Sequence, residues 1–276
     1  MVRWSKSVGF ILAFYVVAMI TPISASAYEV VAVENGGTVT GTVLVKGPVP
    51  ELRRFKVEKT PEVCGEDDRL LAEIRARDGK LADVVVLIKQ LDAGKPYPLE
   101  EVQGGPPEEA FHLQVEGGGS EYPGTTIKPK KCIFGPYTGV IAQEKMLRFR
   151  NQDPVKHSPH TYSSKGRVKK TLHNEDLPGD GSLDLMVKME KAKVVKLECD
   201  QHEHMQNWFR TVDNPYYAFS GEDGTFSIDQ IPPGTYTLIA WHPKFKREQK
   251  QEITVAANGT VSNIDFTFKV RVRKTE

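Results

Sequence analysis

Val195-Lys196-Leu197-Glu198-Cys199-Asp200-Gln201-His202-Glu203-His204-Met205 joins a period-two strand to a loop crowded with sulfur and imidazole. Successive side chains on a strand point to opposite faces, so Val195, Leu197 and Cys199 share one face and Lys196 and Glu198 the other. The thiol then points inward at the strand's end, and the following loop delivers His202 and Met205 beside it. Upstream, Leu147 and Phe149 alternate in the same way, Asn151-Gln152-Asp153-Pro154 turns the chain, and His157 follows. Two adjacent strand ends can thus bring His157, Cys199, His202 and Met205 to one point.

A thiolate, two imidazoles and a weak axial thioether are the ligand set of a blue-copper site. With three Cys, seven His and six Met in 276 residues, the C-x-x-H-x-x-M spacing is expected by chance only roughly 0.002 times. Each residue alone has a plainer reading: an exposed turn histidine, a core methionine, an inert buried cysteine. Cys with two His would also satisfy zinc, but a thioether three residues after the histidine favours copper. His202-Glu203-His204 is not the H-E-x-x-H of a zinc protease, because residue 206 is Gln. His160 and His204 are extra candidates, read here as non-ligands.

The whole mature chain alternates with period two and nowhere sustains three turns of helical periodicity, which makes it all-β. Clear strands run over 38–46, 84–89, 146–150, 194–199, 225–229, 235–241 and 264–268. Residues 92–124, rich in Gly, Pro and Glu, read as a loop with one short strand at 111–115, and Asn258-Gly259 as a hairpin turn.

Before this, Arg3 and Lys6 precede an apolar stretch from Val8 to Ile20 and the small-residue run Ser24-Ala25-Ser26-Ala27. Residues 1–27 read as a cleaved export signal, too short in its apolar core for a stable membrane span. Its removal takes away two positive charges and leaves 35 Lys+Arg against 36 Asp+Glu. No nucleic-acid partner is implied, and the short basic runs at Lys128–Lys131 and Arg167–Lys170 read as solvated surface. In an oxidising compartment, parity of the two remaining thiols pairs Cys64 with Cys132. That bridge closes a loop of roughly 70 residues, for which chain entropy gives at most about 4 kcal/mol.

Phe134-x-Pro136, Leu147-x-Phe149-x-Asn151-x-Asp153, His157 and the Cys199 loop together resemble the plastocyanin-like cupredoxin family over about residues 131–212. The resemblance implies a Greek-key sandwich holding one type 1 copper ion, with His157 and His202 as imidazole ligands, Cys199 as thiolate and Met205 as axial ligand. It also implies that the edge of the His202 ring lies near the surface, where electrons enter and leave. Family members usually show H-N-x-H, whereas this chain has His157-Ser158-Pro159-His160, and Pro159 lacks a backbone donor. Asp223-Gly224-Thr225-Phe226 with Pro232-Pro233-Gly234-Thr235-Tyr236-Thr237-Leu238 resembles the close of the carboxypeptidase-regulatory-like β-sandwich family. Gly37-Thr38-Val39-Thr40-Gly41-Thr42-Val43 resembles its opening.

These resemblances imply a host sandwich built from 28–95 and 213–276 and a copper domain at 96–212 inserted within it, with two sandwiches in series as the alternative arrangement. No Ser/His/Asp order, paired-carboxylate motif or phosphate loop stands out, so no enzyme is expected. The expected role is electron transfer in the periplasm with a redox protein such as a cytochrome. Copper delivery without redox cycling and a structural or ligand-binding module are the alternatives.

Overall fold

The computed structural model describes residues 28–97, 100–103, 124–135, 137–142, 146–165, 168–188 and 193–270. The export segment at 1–27 and the strand expected at 111–115 lie outside them. The described chain is all-β, two sandwiches packed together, with one helix, the four-residue Pro61–Cys64.

Gly37–Lys46 is the spine of the first sandwich. It pairs antiparallel with Thr225–Ile231 and parallel with Thr260–Lys269, and Lys80–Leu81 and Ala76–Arg77 extend the same sheet. The facing sheet runs Tyr217–Phe219, Val85–Lys89, Gly234–Trp241 and Gln249–Val255. Alternate residues from both sheets, among them Val39, Val43, Val86, Ile88, Phe226, Ile228, Leu238, Phe266 and Phe268, fill its core.

In the second sandwich, Thr138–Ala142, Gln206–Val212, Val194–Cys199, Pro159–Lys165 and Val168–Asn174 form one sheet. Ser182–Met186, Met146–Arg150, Gly124–Ile127 and Glu100–Gln103 form the other. Ile127, Phe134, Ile141, Leu147, Phe149, Leu185, Val195, Leu197 and Phe209 pack between them, and Cys199 and Met205 belong to the same cluster.

The unbroken apolar run Val84 to Ile88 has a structural cause, since its strand is buried on both faces. Val86 and Ile88 face their own sandwich, while Val85 and Leu87 meet Val140, Ala142, Val212, Ile239 and Trp241 in an apolar seam against the second.

Two expectations change. Glu100–Gln103, inside the segment read as a loop, is an edge strand paired in parallel with Gly124–Ile127; main-chain pairing makes it, so no apolar alternation announces it. Asn258-Gly259 does turn the chain, with Gly259 N–H donating to Ala256 O at 3.0 Å, but it closes no hairpin. The turn passes the chain across the sandwich, and Thr260–Lys269 pairs with Gly37–Lys46 instead.

Candidate metal centre

Val194–Cys199 runs between Pro159–Lys165 and Gln206–Val212, and its register sets Cys199 opposite Pro159. Val195, Leu197 and Cys199 are buried in the core as alternation requires. Consecutive turns then fold the loop back: His202 N–H donates to Cys199 O at 3.3 Å and Met205 N–H to His202 O at 3.0 Å. Cys199 N–H donates to Met205 O at 3.2 Å, which closes the loop on itself and buries Met205 beside the thiol's own residue.

The second arm comes from the turn after Met146–Arg150. Asn151 fixes it, accepting Asp153 N–H at 3.1 Å and donating to Val155 O and Pro178 O at 2.9 and 2.8 Å. His157, fully buried, leaves this turn and exchanges backbone bonds with Leu177.

His157, Cys199 and His202 meet in the interior. The two Nδ1 atoms lie 3.3 Å apart, and Cys199 Sγ stands 3.9 Å from Nδ1 of His157 and 3.7 Å from Nδ1 of His202. The point central to this triangle is about 2.1 Å from each atom, and first-row metals take imidazole nitrogen at ~2.0 Å and thiolate sulfur at ~2.3 Å. The donor atoms are therefore spaced for one small ion.

The outer ring nitrogens are tied down. His157 Nε2–H donates to Asp153 Oδ2 at 2.9 Å, and an ionised carboxylate can only accept, so in the neutral ring the lone pair His157 can offer is on Nδ1. His202 Nε2 lies 3.1 Å from Thr60 Oγ1, which can accept its proton and leave Nδ1 free as well. Ser158 N–H points at the Cys199 sulfur from 3.4 Å, a donor that remains although Pro159 supplies none.

Electrostatics follow this geometry. Burial works against charge on His157, but Asp153 and Cys199 beside its ring push it up to about 9. Burial likewise pushes the Cys199 thiol up, yet hydrogen bonds from protonated Nδ1 of His157 and His202, protons that a metal would displace, and from the Ser158 amide bring it down to about 6. A thiolate is thus stabilised near neutral pH, the form a metal requires.

His160 and His204 stand apart from the triangle. His160 is 3.2 Å from both carboxylate oxygens of Asp200, hydrogen bonds Tyr162 and Thr171, and stacks on Tyr162. His204 Nε2–H donates to Cys132 O at 3.0 Å, and burial with the neighbouring His202 lowers it to about 4.

Cys64 and Cys132 form a disulfide, both fully buried. Its position is unexpected: Cys64 Sγ is 3.5 Å from His202 Nε2, and the Pro61–Cys64 helix lies over that imidazole edge. His202 is only 5% exposed, so the surface-lying edge implied by the resemblance is corrected here: Thr60 and the disulfide cap it. Thr60 is the residue that sequence reasoning missed, because 142 positions separate it from His202 and no local pattern signals the contact. Asp153 stood in the sequence only as part of the Asn151-x-Asp153 turn, and its hold on the His157 ring comes from the structure.

Comparison with known proteins gives a match of residues 210–269 to the carboxypeptidase regulatory-like domain. The match spans the strands from Tyr217–Phe219 to Thr260–Lys269 of the first sandwich. No curated protein matches the chain. Solved structures with similarity include a reduced Cu(I) form of an amicyanin variant, at 11% identity and TM-score 0.26, covering 32% of this chain and 80% of that one. Amicyanin from Paracoccus versutus is similar at 9% identity and TM-score 0.26, covering 32% of this chain and 79% of that one.

Proposed function

We propose that the second sandwich is a cupredoxin-like unit that holds one type 1 copper ion and transfers electrons. His157 Nδ1, His202 Nδ1 and Cys199 Sγ would hold the ion, with the Met205 thioether as a weaker fourth ligand. The observation that carries this reading is the buried triangle of two imidazole nitrogens and one sulfur, with contacts of 3.3, 3.7 and 3.9 Å. Copper bound there would supply one-electron redox chemistry.

The chain's own part is to hold the donors rigid. Asp153 and Thr60 fix the two rings, the Ser158 amide bonds the sulfur, and the Phe134 ring packs edge-on against His157. The thioether of the C-x-x-H-x-x-M loop favours copper over zinc and would take the position a substrate would need, so the protein is not read as an enzyme. We place it in the periplasm or outside the cell, exported by residues 1–27, with a redox protein such as a periplasmic cytochrome as partner. Among the described residues no helix is long and apolar enough to cross a membrane. The copper unit is taken as residues 96–212, nested in a host sandwich of 28–95 and 213–276.

Copper delivery is a second reading, favoured by one observation, the covered outer edge of His202. Cyclic voltammetry of the copper-loaded protein separates the two. A reversible one-electron wave, with exchange to a reduced c-type cytochrome, supports the carrier. Copper that cannot be cycled, or that leaves on reduction, rejects the carrier for delivery.

A further inference from the structure

The disulfide sits where a second metal site could form. Cys64 Sγ, Cys132 Sγ and a ring nitrogen of His202 all lie within 4.8 Å of one another, with His202 Nε2 3.5 Å from Cys64 Sγ, and all three residues are buried. The imidazole nitrogen in this group is the one the first site does not use. Thr60 Oγ1, 3.2 Å from Cys64 Sγ and 3.1 Å from His202 Nε2, adds a fourth polar atom.

Both cysteines are held by bonds that do not depend on the sulfur–sulfur link. Asp153 accepts the backbone N–H groups of Lys131 and Cys132 at 2.5 and 2.9 Å, and the Cys132 carbonyl accepts from His204. Across the site, Cys64 N–H donates to Thr60 O at 2.9 Å, and Lys59 Nζ donates to Gln201 Oε1 in the metal loop at 3.1 Å. Thr60, Lys131 and Cys132 all have positive φ, at 47°, 51° and 56°. Three non-glycine residues in that region beside one disulfide are held there by their surroundings, a pattern common at functional sites. The Cα atoms stand 5.1 Å apart, so modest side-chain rotation can separate the sulfurs without moving the backbone.

We propose that Cys64 and Cys132, once reduced, form with His202 Nε2 a second site for a soft, thiophilic ion such as Zn(II), Cd(II) or Cu(I). Two thiolates and an imidazole supply three of the four ligands of a tetrahedral centre. The site is closed by oxidation and opened by a phosphine or a dithiol. With a phosphine, disulfide plus phosphine plus water give two thiols and a phosphine oxide; the ion then displaces the two thiol protons. A neutral imidazole has one lone pair, so the two sites compete for His202 unless the ring also loses its remaining proton. The proposal stands whether or not the first site binds copper.

The test uses the full chain carrying Cys199→Ser, which removes the thiolate of the first site, and Cd(II) as the probe. With the disulfide intact, the variant should show no thiolate-to-cadmium absorption. After phosphine reduction and anaerobic removal of the phosphine, it should bind one Cd(II) per chain with that ultraviolet band and keep its near-ultraviolet circular dichroism. Adding His202→Ala should weaken cadmium binding at least tenfold, and adding Cys132→Ser should abolish the band. The proposal is overturned if the reduced variant binds no cadmium or binds it equally well without His202. Loss of the near-ultraviolet signal on reduction would also overturn it, since the backbone would then depend on the disulfide.

Discussion

Asp153 receives three N–H groups, from the His157 ring and from the backbone of Lys131 and Cys132. Burial raises its carboxyl, but these hydrogen bonds outweigh burial and hold it below the usual range. Asp153→Ala frees the His157 ring and orphans buried donors. Metal affinity should fall about 10- to 100-fold and folding stability by about 1–3 kcal/mol, read by competition with a chelator and by urea unfolding; unchanged affinity would contradict the role given to Asp153. His242, 1% exposed and lowered to about 3 by burial and by Lys244, gives a pH signature. A depressed folded-state pKa means stability fully present above the unfolded value of about 6.5 and lost as pH falls from there toward 3, because only the unfolded chain takes up the proton. Urea midpoints from pH 7 to pH 4 should therefore fall less steeply for His242→Gln than for the parent chain. Parallel slopes would show that His242 is not held neutral. Cys199, His202 and His157 were legible as a candidate group because strand alternation and a short loop govern where they point. Thr60 was not, since its contact with His202 comes from packing between distant segments.

Strands could be read wherever one face is buried and the other is wet, as in Thr225–Ile231, whose Phe226, Ile228 and Ile231 are buried while Thr225, Ser227 and Asp229 are exposed. Val168–Asn174 has no buried residue and, among the described residues, is an edge strand paired only with Pro159–Lys165, so nothing in its composition announces it. Gly41 shows the reverse case, a residue whose role only packing explains. A Cβ there would lie 1.8 Å from Ile264 O and 2.8 Å from the Phe226 ring, at the register shift where Gly37–Lys46 meets Thr260–Lys269. Gly41→Ala should cost about 1–3 kcal/mol or more, as overpacking does, by forcing apart the two strands that flank the spine. Equilibrium denaturation checks it, and a variant as stable as the parent would mean that the close approach is not obligatory.

At the scale of the whole molecule, the seam built on Val85, Leu87, Val140, Val212, Ile239 and Trp241 ties the two sandwiches together. The parent chain should unfold in a single calorimetric transition, and Trp241→Ala should cost about 3–5 kcal/mol and split it into two; a variant transition that stays single and unshifted would show that the seam does not couple them. That both chain ends contribute to one sandwich follows from the resemblance of residues 37–43 to the opening and of 223–238 to the close of one β-sandwich family, whereas the seam could not be inferred, because an apolar run such as Val84 to Ile88 does not say what covers its second face. The central claim, that His157, His202 and Cys199 together hold one copper ion, is tested most directly by X-ray absorption at the copper edge of the loaded protein. The account predicts one copper per chain with two imidazole nitrogens and one short sulfur in its first shell, the sulfur lost in Cys199→Ser. A copper shell of nitrogen and oxygen alone in the parent protein would contradict it.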